Sequence, residues 1–284
     1  MHFLDTDLML NQDGSTYHLH AFPGDIADKL IFVGDGGRAL DIAQRFDRIE
    51  LKRHYRGFLV ITGYIGLTRL TVVNTAIGSG NIDIVLNELD ALVNIDFNTK
   101  KPKTTPTQLK IIRLGTAGGI QEDIEPGTLL LATHGLATDG LMSYYDTPAY
   151  QPEDRELFHT LANAINEPTD SRNLYLGRAD AHLQRAFQSI TRPGISFTAV
   201  GFYGPQYRQL RLAASQRMAL EHLTPFAKLE METAMIYALG GALGHACCSI
   251  SCIVVNRRRN TRCEDVKGAI DQMIDRSLEV IVRL

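Results

Sequence analysis

A glycine-rich turn followed by an arginine is the first feature of this sequence that could do chemistry. Gly34–Gly37 reads GDGG, and Arg38 follows it directly. Glycines expose backbone N–H groups at the start of a helix and an arginine adds a positive charge, so this turn suits free phosphate. With Ala39, the spacing G-x-G-x-x-A also fits a dinucleotide-binding turn, although Glu50 follows sooner than the usual ~20 residues. A plain tight turn beside a solvated arginine is the third interpretation.

Two further glycine-bearing turns follow apolar runs. GSGN occupies Gly78–Asn81, and GTAGG occupies Gly115–Gly119, two residues after Arg113. In open α/β sheets, ligands bind beyond the carboxyl ends of strands, so these turns are candidate ligand sites. Taken alone, Arg113 is equally consistent with a surface or ion-paired residue.

The four cysteines do not form a recognisable metal or disulfide pattern. Cys247, Cys248 and Cys252 lie in one apolar run, and Cys263 follows it. Their spacing fits neither a paired C-x-x-C zinc site nor a disulfide framework. We therefore predict reduced, structural thiols, because cysteine is among the most frequently buried residues.

Short apolar runs rich in β-branched residues alternate with amphipathic stretches of helical period. Strands are predicted at Leu30–Val33, Leu59–Ile65, Leu70–Ala76, Leu109–Leu114, Thr128–Thr133, Leu174–Leu176, Ile195–Val200, Lys228–Met231 and Cys247–Val255. Helices are predicted at Arg38–Phe46, Ile82–Val93, Asp154–Ile165, Ala181–Ile190, Gln206–Leu223, Glu232–Leu243 and Val266–Leu284, with Asn81 placed to cap the second. This alternation predicts an α/β fold with a mixed, mostly parallel β-sheet flanked by helices on both sides.

The chain is expected to form one domain over residues 1–284, in which residues 1–16 are an N-terminal extension. We find no internal repeat and no low-complexity linker. The most polar stretch, Asp96–Gln108, separates a predicted helix from a predicted strand and indicates a surface loop.

Composition limits the partners that the chain can bind through bulk charge. The formal net charge is -3, so affinity for nucleic acid or an anionic membrane is not expected, and any anion needs a local arginine or lysine cluster. The first residues lack a basic-then-apolar signal pattern, and no apolar run approaches membrane-spanning length. A cytoplasmic location is expected.

Six segments occur in one order along the chain: VGDGGR, TAIGSGNIDIVLNEL, IIRLGTAGGI, FYGPQYR, LEMETA and IVVNR. Together they resemble the hexameric nucleoside phosphorylase superfamily, and within it the uridine phosphorylases. The resemblance covers nearly the whole chain from about Tyr17 onward. It implies a three-layer α/β/α fold and the cleavage of a nucleoside by inorganic phosphate.

The resemblance implies a phosphate site built from a glycine turn, arginines and a threonine. Guanidinium groups suit this task because they grip a dianion bidentately and stay charged. Arg56, in HYRGF, looks like the arginine that a neighbouring subunit lends. The matching positions are Gly34, Arg38, Arg56, Arg113 and Thr116.

The resemblance also implies a ribose site at Thr116, Met231, Glu232 and His18. A carboxylate can accept hydrogen bonds from both vicinal hydroxyls of ribose, and methionine offers a soft apolar surface. Acidic residues also favour the start of a helix, which is the alternative interpretation of Glu232. His20 is the alternative to His18 in sequence register.

Base recognition is implied for the FYGPQYR segment. Uracil presents two carbonyl oxygens and an N–H, which a glutamine amide and an arginine can match. Purine-specific members carry an aspartate soon after the last strand, whereas this sequence reads Val255-Asn256-Arg257. Polar residues at a surface helix start are the alternative. The matching base-binding positions are Phe202, Gln206, Arg208, Glu230 and Arg257.

The resemblance implies phosphorolysis in which Arg113, Gln206 and Arg208 are catalytic. The base would leave as an anion stabilised by Gln206 and Arg208, without a redox cofactor or catalytic metal. The expected partners are nucleoside and phosphate, and the site would be completed in a homodimer or a hexamer. An interface cation is not carried over, because Gly57 and Asn81 occupy its expected positions.

The preferred substrate is uridine, with deoxyuridine and thymidine as further candidates. Three other functions stay open. They are a purine nucleoside phosphorylase, a nucleosidase that uses water, and a nucleoside-binding protein without turnover.

Overall fold

The computed structural model describes residues 3–147, 150–212 and 220–284 of the chain. The chain folds into two compact units. The first contains residues 1–112 and 243–246, and the second contains residues 113–242 and 247–284. Over the described ranges, every helix is too short or too polar to cross a membrane.

In the residues that the structure describes, the first unit contains four neighbouring strands of a mixed sheet, a separate two-stranded hairpin and two helices. Its strands and helices are β1 (Lys29–Val33), β2 (Arg48–Tyr55), β3 (Phe58–Ile65), β4 (Thr68–Asn74), β5 (Ile95–Asp96), β6 (Lys101–Pro102), α1 (Gly36–Ala43) and α2 (Ser79–Asn94). β1 is parallel to β4, whereas β4, β3 and β2 are antiparallel neighbours. Because β1 and β4 are parallel, the turns after them, which begin α1 and α2, lie at the same edge of this sheet.

The second unit contains the remaining elements. They are β7 (Lys110–Gly119), which begins in the first unit, β8 (Leu129–Ala137), β9 (Tyr175–Arg178), β10 (Arg192–Thr198), β11 (Lys228–Glu230), β12 (Ala246–Asn256), β13 (Thr261–Arg262), α3 (Pro152–Ala164), α4 (Ala181–Phe187), α5 (Thr233–Ala242) and α6 (Val266–Ile281). β8, β10 and β11 are parallel neighbours, and β11 is antiparallel to β7. Because β12 pairs with both β8 and β7, the strands β7, β11, β10, β8 and β12 form a closed ring.

Two glycines allow α5 to pack directly against β8 and β9. A Cβ atom on Gly135 would lie 2.9 Å from the backbone of Ala234, and one on Gly177 would lie 2.7 Å from the Ala234 carbonyl oxygen. Both distances are too short for a real side chain, so glycine is required at both positions. This packing fixes the turn between β11 and α5, where Glu232 lies.

The predicted α/β class is confirmed, since each predicted strand overlaps an observed strand. In α2, the apolar residues Ile82, Val85, Leu86 and Leu89 are buried, as expected of an amphipathic helix. The sheet is mixed, as predicted, but antiparallel neighbours are more numerous than a mostly parallel sheet implies. The mostly polar strand β2, RIELKRHY, is not among the predicted strands, because it lacks an apolar run.

The predicted helix Gln206–Leu223 is wrong over its described residues. Short 3-10 helices span Gly204–Gln206 and Leu220–Leu223 instead, and residues 213–219 lie outside the described part of the chain. Tyr207 takes left-handed backbone angles, φ 58 and ψ 33, which end a right-handed helix.

Two smaller predictions are also corrected. Gly78, not Asn81, is the N-cap of α2, and its φ of 95 favours glycine. Asn81 Nδ2 instead donates to the Ile77 carbonyl at 2.6 Å. The predicted loop Asp96–Gln108 contains part of a short hairpin, in which β5 pairs with β6.

The single domain over residues 1–284, with its extension at 1–16, stays a prediction.

Candidate functional site

Arg113 and Glu232 form a buried ion pair in the second unit. Arg113 lies in β7, Glu232 directly precedes α5, and their exposed fractions are 5% and 3%. Arg113 Nη2 donates to Glu232 Oε2. Arg113 Nη1 is buried without a hydrogen-bond partner among the described residues. Since an unpaired buried N–H is costly, this nitrogen is available to donate a hydrogen bond to an anion.

Gly115 makes room for the Arg113 guanidinium. A Cβ atom at Gly115 would overlap Arg113 Nη1 and Cζ. The glycine of the GTAGG segment is therefore needed for the placement of this arginine, in addition to any approach of the backbone to a ligand. Thr116, the next residue in β7, is half-buried.

Glu230 holds the start of α5 through four hydrogen bonds. Its Oε1 accepts from Ser196 Oγ at 2.9 Å and from Thr198 Oγ1 at 2.6 Å. Its Oε2 accepts from the backbone N–H groups of Glu232 and Thr233, both at 2.8 Å. These N–H groups lie at the helix start and have no partner within a helix, so Glu230 fixes the turn that carries Glu232.

The charge of Glu230 is maintained by buried cations. Burial alone would raise its pKa, but Arg113, Lys228 and the hydrogen bonds hold the pKa below its ordinary value. Arg113 Nη2 lies 3.8 Å from Glu230 Oε2. Both carboxylate oxygens are occupied by protein donors, which is a positioning arrangement. The base-binding role of Glu230 stays a prediction.

The structure brings the predicted base-binding residues of the FYGPQYR segment together with Arg257. Arg208 Cζ lies 4.0 Å from the centroid of the Phe202 ring, and Arg208 Nε donates to the Phe202 carbonyl at 3.1 Å. Arg257 Nη1 donates to the Gln206 carbonyl at 3.0 Å. Gln206 is 3% exposed, whereas Phe202 is 49% exposed. The exposed ring of Phe202 can stack, and the buried amide of Gln206 can form hydrogen bonds.

The two arginines of this region are partly desolvated. Burial lowers the pKa of Arg208, and burial together with the charge of Arg208 lowers the pKa of Arg257. Tyr207 anchors the segment, because its side chain packs against a buried cluster that includes Phe197 and Phe226. Two neighbouring cations with reduced hydration favour a ligand that carries or develops negative charge.

The first unit carries the glycine turn between β1 and α1. The Asp35 carboxylate accepts from the N–H of Gly37 at 3.0 Å and of Arg38 at 3.2 Å. An aspartate N-cap therefore occupies these two amides. The phosphate-binding role of Gly34 stays a prediction. Arg38 itself is 9% exposed, and a Cβ atom on Gly34 would lie 3.3 Å from the Ala76 carbonyl oxygen.

Arg56 and His18 also lie in the first unit. Arg56 is in the turn between β2 and β3 with φ 49, and its Cζ lies 4.4 Å from the centroid of the Tyr17 ring. His18 Nδ1 lies 2.6 Å from Glu88 Oε1, and the His18 N–H also donates to Glu88. His20 Nε2 lies 3.1 Å from an Asp13 oxygen. Both histidines pair with a carboxylate, and the assignment of either to ribose stays a prediction.

Asn256 fixes the turn after β12. Its Nδ2 donates to the carbonyls of Gln121 and Ile124, both at 2.8 Å. Its Oδ1 accepts from the N–H groups of Arg258 and Arg259 at 3.0 Å and 2.9 Å. Both the nitrogen and the oxygen of the Asn256 amide thus form hydrogen bonds that hold the segment beginning at Arg257.

The remaining predicted residues are placed as follows. Met231 lies between Glu230 and Glu232 and is half-buried. Of the cysteines, Cys247, Cys248 and Cys252 are buried thiols, as predicted, and Cys263 is half-buried. Burial raises the pKa of Cys247 and Cys248.

Sequence reasoning missed several supporting residues, among them Ser196, Lys228 and Glu88. The Lys228-Leu229-Glu230 run offered a signal, because charged residues that alternate within a short strand are rarely buried unless they are paired. Ser196 and Glu88 carry no comparable local signal, because their partners lie far away in the chain.

Known proteins are similar to this chain in sequence and in fold. The phosphorylase superfamily profile matches residues 28–284. A DeoD-type purine nucleoside phosphorylase of Streptococcus suis is 29% identical over 93% of this chain and 98% of the relative. A uridine phosphorylase of Thermococcus kodakarensis is 26% identical over 91% of this chain and 83% of the relative. The crystal structure of a Trypanosoma brucei nucleoside phosphorylase that shows uridine phosphorylase activity superposes with a TM-score of 0.89, at 26% identity over 98% of this chain and 100% of that chain.

Proposed function

Because the chain belongs to the phosphorylase superfamily, we propose that it is a nucleoside phosphorylase whose substrate is uridine. As a pentosyltransferase, it moves ribose from the base to inorganic phosphate and gives uracil and ribose 1-phosphate. One relative found by sequence is a uridine phosphorylase, and one relative found by structure shows uridine phosphorylase activity. Phosphate is a co-substrate, and no cofactor is needed for this transfer. Deoxyuridine and thymidine are further candidate substrates.

The observation that carries this proposal is the buried Arg113–Glu232 pair. Arg113 Nη1, without a partner in the described part of the chain, would donate to a phosphate oxygen. Glu232 would accept hydrogen bonds from the vicinal ribose hydroxyls. The ion pair would thus offer Arg113 to phosphate and Glu232 to ribose. Glu230 holds the turn that carries Glu232.

The departing base would be stabilised by the FYGPQYR segment. As the glycosidic bond lengthens, the sugar becomes oxocarbenium-like and negative charge develops on the base. Gln206 and Arg208 supply a buried amide and a partly desolvated cation for that charge. Phosphate then attacks the anomeric carbon from the opposite face, so positioning supplies much of the rate.

A purine nucleoside phosphorylase is the second candidate function, favoured by the 29% identity to the Streptococcus suis enzyme. The resemblance associates purine cleavage with an aspartate soon after the strand that corresponds to β12. Here Asn256 lies at the end of β12 with its amide occupied by backbone groups, and Arg257 follows. Neither residue can donate a proton as a carboxylic acid does, and this favours the pyrimidine substrate.

The test is base release from uridine, thymidine, cytidine, inosine and adenosine, each with and without inorganic phosphate, followed by chromatography. Uracil released only with phosphate is the expected result. Purine release supports the second candidate, release without phosphate indicates a nucleosidase, and no release indicates a binding protein.

An Arg113→Met variant should lose phosphate-dependent turnover by about 100-fold or more, the usual effect of removing a donor to developing or transferred charge. Arg192→Met is the matched control, because Arg192 pairs with Asp123 at the surface of the same unit. Location in the cytoplasm, the homodimer or hexamer, and the phosphate roles of Gly34, Arg38, Arg56 and Thr116 remain predictions.

A further inference from the structure

Lys228 is a fully buried lysine that the proposed reaction does not use. It lies in β11 with an exposed fraction of 0%, and its Nζ donates to Ser251 Oγ of β12 at 2.7 Å. β11 and β12 are not neighbours in the strand ring, so this contact crosses the interior of the ring. Lysine is almost never fully buried unless it is paired, which indicates a specific electrostatic task.

The surroundings of Lys228 identify that task. Lys228 and Glu230 are two residues apart in one strand and therefore point to the same face. Lys228 is opposite Ser196 in the register with β10, and Ser196 Oγ donates to Glu230. The charges that act on Lys228 are those of Glu230, Arg113 and Glu232. The cluster thus contains two cations and two carboxylates.

We propose that Lys228 is a positioning residue whose ammonium balances the charge of Glu230 and Glu232, so that Arg113 can bind a dianion. Without this ammonium, one guanidinium would face two carboxylates, and an entering phosphate would meet net negative charge. Since these groups are buried, their interactions are screened far less than at a surface. The inference rests on the proposed use of phosphate.

The charge balance of this cluster depends on pH. Burial lowers the pKa of Lys228 to about 7, against the attraction of Glu230. The ammonium is present below that pH and becomes a neutral amine above it, so anion affinity should fall as the pH rises through about 7.

Among the residues that the structure describes, four ionisable groups face Lys228: Arg113 from β7, Glu230 from β11, Glu232 before α5 and Cys248 from β12. Burial raises the pKa of the Cys248 thiol well above its ordinary value. The pKa of Glu230 lies below its ordinary value. Neither of these two groups therefore changes charge near pH 7.

The experiment measures sulfate binding to the whole protein by titration calorimetry at several pH values. Sulfate is a dianion throughout the range, so its own ionisation does not contribute to the result. For the natural sequence, the dissociation constant should rise about tenfold between about pH 6 and about pH 9, which corresponds to one pKa unit of coupling.

Three variants make the test specific. Lys228→Met should bind sulfate weakly at every pH and lose the rise of the dissociation constant with pH, here called the pH step. Ser251→Ala keeps the lysine but removes the hydrogen-bond acceptor of its ammonium, so the step should move to lower pH. Lys267→Met, at a side chain that is 81% exposed in α6, is the control and should retain the step.

Equal pH steps for Lys228→Met and the natural sequence would overturn the inference. If that variant does not fold, an unshifted step in Ser251→Ala overturns it. Uridine and purine turnover is measured on the same samples. Turnover with phosphate but without a pH step in sulfate affinity refutes the role of Lys228 alone, whereas a pH step without any turnover refutes the proposed function.

Discussion

At the residue scale, the two terminal nitrogens of Arg113 have different surroundings. Nη2 is committed to Glu232, while Nη1 has no partner among the described residues. The guanidinium is planar and rigid, so fixing one nitrogen also fixes the direction of the other. Gly115 is the residue that permits this placement, because any larger side chain would occupy the same space.

Gly115→Ala should therefore displace the Arg113 guanidinium and lower kcat/KM by about 100-fold, since a misplacement of about 1 Å can cost that much. The measurement is steady-state phosphorolysis of uridine. Gly241→Ala in α5 makes the same chemical change where no described atom beyond its own stretch of helix lies within 4 Å of the added carbon, and it should keep its activity. Similar activity of both variants would show that the position of Arg113 is not critical.

At the element scale, the β11–α5 turn is held by side chains from β10. Thr198 Oγ1 donates to Glu230 and accepts from the Ala234 N–H at 3.0 Å, so it joins the strand, the carboxylate and the helix start. The helix therefore begins at a position set by strand pairing and does not depend on a local N-cap alone.

Thr198→Val keeps the shape of the side chain but removes both hydrogen bonds. We expect a loss of about 1 to 3 kcal/mol in the free energy of unfolding, because buried polar groups of Glu230 and Ala234 lose a partner. Urea denaturation measures the change. Thr160→Val, at an exposed position of α3, is the control, and equal losses for both variants would mean that the Thr198 hydroxyl contributes nothing specific.

At the scale of the whole molecule, the homodimer predicted from the sequence has a direct test. Arg56, which contacts the Tyr17 ring in the first unit, is predicted to act in the site of a neighbouring subunit. In a twofold-symmetric dimer, each site would then take Arg113 from one chain and Arg56 from the other.

Arg56→Met and Arg113→Met should each be inactive alone, but a mixture refolded together should recover about one quarter of the natural activity. In half of the randomly formed dimers, one of the two sites would contain both natural arginines. Activity after mixing is measured with uridine and phosphate. The control is a mixture of Arg192→Met with Arg113→Met, in which Arg192→Met is active before mixing. Failure to recover activity would assign Arg56 to its own chain or to no site.

The sequence by itself determined the class of fold and the family. Alternating apolar runs and amphipathic stretches depend on spacings of two to four residues, and these spacings are visible without any contact information. The same holds for the glycine-bearing turns and for the FYGPQYR and LEMETA segments, because their residues lie next to one another in the chain. The buried cysteines followed from the apolar run that contains them.

Only the tertiary structure decided which polar groups are used by the protein itself. The hydrogen bonds of Glu230 with Ser196 and of Lys228 with Ser251 join strands that are distant in sequence. Such partners depend on strand order and register, which local periodicity does not specify. The left-handed backbone of Tyr207 likewise ended a helix that its neighbours favoured, because the packing of its ring against a buried cluster outweighs local preference.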